Sequence, residues 1–522
     1  MHINLKSKFL ATTLLCMAAA STASAGTVTT WLGNGTSSNW TAANNWSTPL
    51  NTTDTFSLVF SGTVLRMTGT NNFGPGAVRV DSILFANTVA SPTSNFTLAK
   101  SGTTPPLALL DRATVTTTVF TSGTLSDSIS SAIAFGGNAT FNLGLRHNLL
   151  LSGTLSGSGL LVKTGAGDLT LSGTNNLAAL KIDQGVVQVN QAIAFGGITD
   201  LTVDIGSSDQ TGTFRTNNVG STLTPYATNM KFNLNGDANI TPNNSNINFN
   251  AANFNEAVAG VTTPVTLTLA GGTVVAKGTQ TLNGVIQDNS ASGTVGVTIG
   301  TATSQNDWVL NGNNTYTGNT TVQAGGKLLM NGSVAAGSTT TTYGYLGGSG
   351  TFGGAVIVSS GTLAPGGSSA GGVIVDTVGV LNTASLSLSG NSQTRMQING
   401  TTRGTDYDGL DISGGGGGLT YDGMLSLSFE NESAFANNAT FDLFNFSGSP
   451  SGNFSALTST GYYEGTWVPA NGMWSLDSRG QILSFTASNG VLGIAVPEPS
   501  MLVLVLAGLA VTCGFFVRRR RG

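Results

Sequence analysis

Short apolar strands recur at nearly constant spacing through the middle of this chain, and that repetition constrains the fold more than any other feature. Between Asn148 and Asn190 they read Leu149-Leu150-Leu151, Leu160-Leu161-Val162, Leu169-Thr170-Leu171, Leu180-Lys181-Ile182 and Val186 to Val189, with centres mostly about 10 residues apart. Turn residues separate them: Ser156-Gly157-Ser158-Gly159, Gly165-Ala166-Gly167 and Ser172-Gly173-Thr174-Asn175-Asn176. Glycine reaches positive φ without steric cost and Asn tolerates it, so these clusters are turns. The apolar–polar alternation of Leu169-Thr170-Leu171 marks a strand with one buried face. The pattern returns from Trp308 to Asn331 and from Leu346 to Gly366, and more weakly from Val265 to Gly284. Outside the two ends no segment sustains a helical period.

Two all-β architectures accommodate such strands, a stacked solenoid and a sandwich or barrel. Recurring strand length and Gly-rich turns favour the solenoid, in which each coil buries its Leu/Val face and pairs with the coils above and below. Asn and Thr at matching positions are then expected to stack as hydrogen-bonded ladders. Composition agrees. Charged residues make up 8% of the chain, against about 25% in ordinary globular proteins, so hydroxyls and amides must solvate the surface. Both cysteines, Cys16 and Cys513, lie near the ends, so residues 26–496 are held by neighbour contacts rather than disulfides. Without the terminal segments, Lys and Arg fall from 20 to 14 and Asp and Glu from 24 to 23, a net charge of −9. That argues against nucleic acid as a partner, since it requires a basic face.

The ends differ from the middle. Residues 1–25 have a basic start (Lys6, Lys8), an apolar stretch and the small-residue site Ala23-Ser24-Ala25, a secretory signal helix cleaved before Gly26. Residues 496–522 contain Pro497-Glu498-Pro499, an uncharged apolar run of 17 residues from Met501 to Val517, and Arg518, Arg519, Arg520 and Arg521. At about 1.5 Å per residue the run just crosses a bilayer as a helix, and the arginines stay cytoplasmic. This tripartite tail resembles the PEP-CTERM sorting signal. The resemblance implies that an exosortase-type membrane enzyme recognises and cuts it, and it implies a link to extracellular polysaccharide.

The strands also resemble the autotransporter-associated β-strand repeat, over Leu155 to Asn175 and again over Leu310 to Lys327. That resemblance implies a right-handed parallel β-helix displayed outside the cell. The chain departs from autotransporters in ending on one helix and arginines rather than on a β-barrel.

The expected organisation is a signal peptide (1–25), an N-terminal cap with the first coils (26–140), the repeat solenoid (141–383), a C-terminal β region and cap (384–495) and the sorting tail (496–522). Trp31, Trp40 and Trp46 cluster near the start. They read as cap packing over an exposed solenoid end, with sugar stacking as the alternative.

Candidate chemistry is sparse. His147, the one histidine left after the signal, sits beside Arg146 and reads as a solvated turn residue; with no Cys nearby, neither a catalytic triad nor a zinc site is expected. Asp406, Asp408 and Asp411 are a weak Ca²⁺ candidate, provided Tyr407 points inward and Asp406 and Asp408 share an outer face. Glu430 and Glu432 flank Asn431 as a second acid pair. The sequons at Asn95, Asn138 and Asn319 read as products of composition. No cofactor is expected. The leading expectation is a non-enzymatic exported structural protein of the cell surface or matrix. The alternatives are a polysaccharide lyase or glycosidase, disfavoured by scarce Lys and Arg, and an adhesin working through exposed Tyr462, Tyr463, Trp467 and Trp474. An outward groove where acids and a base converge would favour the enzyme.

Overall fold

The computed structural model describes residues 26–496, apart from residues 63–66, 75, 88–94, 103, 178, 191–199, 218–228, 244–247, 250–252, 255–263, 272–277, 289–292, 302–306, 371–372, 415–417, 432 and 471. The signal segment and the sorting tail lie outside the described residues. Among the described residues every long element is a strand, and no helix is long and apolar enough to cross a membrane.

Three parallel sheets run along the molecule. The first starts at Thr27–Thr30 and passes through Thr55–Ser61, Arg79–Ala86 and Leu107–Thr117 to Asn253–Phe254. The second runs from Thr68–Asn71 to Phe444–Phe446. The third takes over from the first at Asn248–Phe249 and continues to Ala456–Gly461. The chain visits one sheet and then the next, so each turn of chain adds one rung to each. In the second sheet Leu149 pairs with Leu169, and Leu169 with Val187. A coil there takes 20 and then 18 residues, two strands of the ten-residue sequence period.

Alternating burial builds the core. Val265–Leu269 and Val295–Ile299 both read buried–half-buried in strict alternation. Register then stacks like upon like: Ile240, Leu269, Ile299 and Val322 form one inward column. Each is fully or almost fully buried, and such a side chain contributes about 1.5–3 kcal/mol. The expected amide ladder is present on the outside. Asn331 Nδ2 donates to Asn311 Oδ1 at 3.1 Å, and Asn311 Nδ2 donates to Asn283 Oδ1 at 2.7 Å.

The glycines have a structural reason. At Gly312, Gly332 and Gly350 an added Cβ would collide with the carbonyl oxygen of the glycine one coil earlier, Gly284, Gly312 and Gly332 respectively. None of the three needs positive φ; the turns stack too closely for a side chain. Lys163 closes a turn differently. Its ammonium donates to the carbonyls of Thr164 (2.8 Å), Gly165 (2.6 Å) and Gln184 (3.1 Å), tying one coil to the next.

Both ends of the stack are aromatic. Trp31, Trp40 and Trp46 are buried and meet edge to face, 5.1 and 5.4 Å apart, above Phe60. They pack the cap and present no sugar-stacking surface. At the other end an antiparallel sheet (Thr440–Asp442, Val491–Ala495, Gln481–Thr486, Met473–Ser478, Val468–Ala470) covers the last coils through Tyr421, Phe444, Phe454 and Phe485.

Several expectations are corrected here. Tyr463, Trp467 and Trp474 are buried, and Tyr462 is half-buried under the Arg479 guanidinium, so they form no exposed aromatic row. The segment that carries them closes the stack, and closure turns the large rings inward. His147 is not a solvated turn residue. Arg146 takes positive φ (62°), and the strand starting at His147 then points that ring into the core. Its Nε2 lies 2.7 Å from Asp127 Oδ2, both side chains are fully buried, and Nδ1 faces the Thr118 carbonyl. Asp127 also accepts from the Phe96 N–H (2.6 Å) and from Asn87. Asn95 and Asn138 cap neighbouring coils, accepting from the backbone N–H of Ser126 and Leu160.

Candidate functional site

An interruption of the repeat after residue 365 builds a cavity. After the third-sheet strand Thr362–Pro365, Gly366 and Gly367 both take positive φ (77° and 99°) and swing the chain out of the coil. It returns at Val380 after an antiparallel hairpin, Ser368–Ala370 against Val373–Val375. Backbone closes the base of this excursion, with Gly367 N–H donating to Thr377 O at 2.8 Å. Side chains hold it against the outer face of the third sheet. Tyr345 Oη donates to Asp376 Oδ1 (2.5 Å), Arg395 pairs with Asp376 Oδ2 (2.7 Å), and Ile374 N–H donates to Asp307 Oδ2 (3.1 Å). Asp307 in turn pairs with Lys327 at 3.5 Å.

Beside this hairpin lies a cleft of about 770 Å³. Its floor comes from adjacent strands Gln393–Gln397 and Met424–Phe429, and Thr460 extends it. Ile374, Val375 and Asp376 form the hairpin wall, and Lys327, Tyr345, Arg395, Asp408 and Glu430 supply most of the remaining polar groups. Asp408 is nearly inaccessible, its oxygens accepting from the N–H groups of Gly379 (2.8 Å) and Gln397 (2.7 Å). Burial raises its carboxyl to about 7; the two N–H bonds oppose this and Asp376 adds to it. Burial also pushes the Tyr345 hydroxyl well above its ordinary range, with Asp376 reinforcing the effect.

The Asp408 shift has a measurable consequence. The folded chain holds this proton more tightly than the unfolded chain, between the ordinary 3.8 and about 7. Stability therefore falls as pH rises through that interval, by at most about 4 kcal/mol. Urea unfolding followed from about pH 5 to 8 is expected to show this fall, and Asp408→Asn to remove most of it. An equal slope in the variant would contradict the assignment.

The aspartates singled out from sequence do not converge. Asp406 is half-buried and accepts from Thr402 N–H, while Asp411 binds Asn445 and Arg403. Tyr407 does point inward, but Asp408 beside it is buried as well, because the chain reverses at Gly404 (φ 77°) and the alternation is broken. Among the described residues no group of three or more acids, histidines or cysteines is placed to hold a metal ion. Glu430 is exposed at the cleft, and Glu432 lies outside the described residues. Sequence reasoning passed over Lys327, Tyr345, Asp376 and Arg395. The available signal was the Gly366–Gly379 excursion, which lengthens one coil inside otherwise regular repeats.

The comparisons with known proteins bear on the coils. The family model of the passenger-associated transport repeat matches residues 161–189 and 303–328. No curated protein matches the chain. Where the structure describes them, the matched stretches are strands and turns of the stacked coils, including the Lys163 turn, so these coils are similar to passenger-type repeats.

Proposed function

We propose that this chain is an exported, non-enzymatic structural protein of the cell surface or extracellular matrix. Residues 1–25 direct export, with cleavage between Ala25 and Gly26. The apolar run of residues 501–517 holds the protein in the membrane, with Arg518 to Arg521 inside. An exosortase-type enzyme then reads Pro497-Glu498-Pro499 and releases the chain to associate with exopolysaccharide in a biofilm. The observation carrying this reading is the presence of passenger-type repeats in a continuous parallel stack.

Gly26 supports the cleavage position. Its N lies 2.7 Å from Asp81 Oδ2, whose other oxygen accepts from Ser57 Oγ. Cleavage there turns that nitrogen into an ammonium already facing a carboxylate. Asp81→Ala is expected to destabilise the processed protein by about 1–2 kcal/mol. The effect should shrink once the terminus is acetylated; an equal loss in both forms would show that the terminal charge adds nothing to this contact.

The test of sorting is Glu498→Ala. The variant is expected to stay in the membrane fraction while the parent chain is released. Unchanged release would refute the assignment. A second reading, glycan hydrolysis, draws support from the cleft, where a carboxyl with its titration moved to about 7 accompanies the exposed Glu430. Shortening of a polysaccharide by the parent but not by Asp408→Asn would favour it.

A further inference from the structure

We propose that the cleft beside the 366–379 excursion binds a saccharide chain that carries no carboxylate or sulfate groups. This deepens the structural reading above by naming what the exported stack would hold, and it rests on that reading only for its biological setting.

Three observations point to this ligand class. The first is a neutral polar row across the floor. Gln397 pairs with Ser428, and Ser428's strand places Thr460 next to it, so an amide and two hydroxyls stand side by side on adjacent rungs. Adjacent strands lie about 4.8 Å apart, close to the length of one pyranose unit, so successive sugars along the stack axis can each meet one rung. The second is the wall. Val373 and Val375 are unusually exposed for this molecule, at 45% and 40%, and Ile374 lies between them. Val375 and Ile374 line the same cleft as the polar row. Apolar side chains sharing a cleft with hydroxyl and amide groups match a sugar, which has C–H faces and hydroxyl edges.

The third observation is the charge balance, which selects among saccharides. The Lys327 and Arg395 cations are already engaged by Asp307 and Asp376. The exposed Glu430 adds a further acid, with no cation engaging it among the described residues of the lining. The lining therefore offers an anion more repulsion than attraction, and a polyuronate or sulfated chain is disfavoured. The ion pairs serve to hold the hairpin in place, which keeps the wall at a fixed distance from the floor.

The test titrates the purified chain with neutral gluco-, manno- and galacto-oligosaccharides and with a polyuronate oligomer of matching length, by calorimetry. Ser428→Trp and Thr460→Trp fill the floor from outward positions on two different strands. Saturable binding of a neutral oligosaccharide is expected, weakened at least about tenfold by either substitution whose unfolding midpoint stays at the parent value. Absence of binding by every neutral oligomer, equal or tighter binding of the polyuronate, or full binding by both tryptophan variants would overturn the proposal. These readings are made on purified protein, so a failure of the Glu498→Ala sorting test leaves them standing, and the reverse holds too.

Discussion

Gly332→Val should destabilise the stack by about 3 kcal/mol, although the residue lies in an outer turn and needs no positive φ. The cause is the carbonyl of Gly312 one coil below, which an added Cβ would strike. A backbone atom cannot step aside as a flexible side chain can, so the two coils must separate locally. Separation breaks the hydrogen bonds that Gly332 and Ser333 make to Leu310 and Gly312, at 3.1 Å each. It also strains the amide ladder through Asn311 and Asn331. Solenoid stability is a sum of coil and neighbour terms, so the damage should appear locally. Hydrogen exchange is expected to accelerate in the strands at 307–310 and 327–330 before it does near residues 56–60. Gly74→Ala provides the comparison, because no atom lies within 4 Å of a Cβ placed there. Equal effects of the two substitutions would show that glycine serves chain flexibility here rather than close stacking.

Asp127→Ala is expected to cost about 3–5 kcal/mol. This carboxylate is fully buried and serves His147, the Phe96 N–H and Asn87 together. Its removal leaves the imidazole and a backbone donor without their acceptor in a site that water does not reach. His147→Leu should cost less than Asp127→Ala if the carboxylate keeps its other donors. The check is urea unfolding of each single variant and of the double variant. A double variant no worse than Asp127→Ala alone indicates one connected network. Additive losses would contradict that.

Much of the fold was legible because its cause is local and repeated. Leu149, Leu169 and Val187 are spaced by the length of a coil, and their alternation with polar residues states which face is buried. The tryptophans of the first cap were legible for a related reason, since large rings beside an exposed solenoid end have one favourable place to go. What failed were inferences about single polar or aromatic residues outside the repeat. His147 looked solvated because its partner, Asp127, is 20 residues away and meets it only across stacked coils. Asp408 looked exposed because alternation was extrapolated through a turn that abolishes it. Trp467 and Trp474 looked available because closure by an antiparallel sheet leaves no periodic trace.

The cleft was illegible for a further reason. Lys327, Tyr345, Asp376, Arg395 and Asp408 come from successive coils, and no linear spacing links them. Only the third sheet's register and the hairpin that leans back over it bring them together. The scarcity of Lys and Arg argued against a site on average composition, yet two cations suffice when both stand beside the same hairpin.

Successive coils stack in parallel and in register. Residues 26–496 contain no cysteine, which allows a direct test. With Cys16 and Cys513 replaced by serine, Asn311→Cys and Asn331→Cys place two thiols on adjacent rungs, where rung spacing is within disulfide reach. Asn283→Cys with Asn331→Cys places them two rungs apart and out of reach. Oxidation is expected to cross-link the first pair almost completely and the second hardly at all. Cross-linking of both pairs to the same extent, or of neither, would contradict the stack.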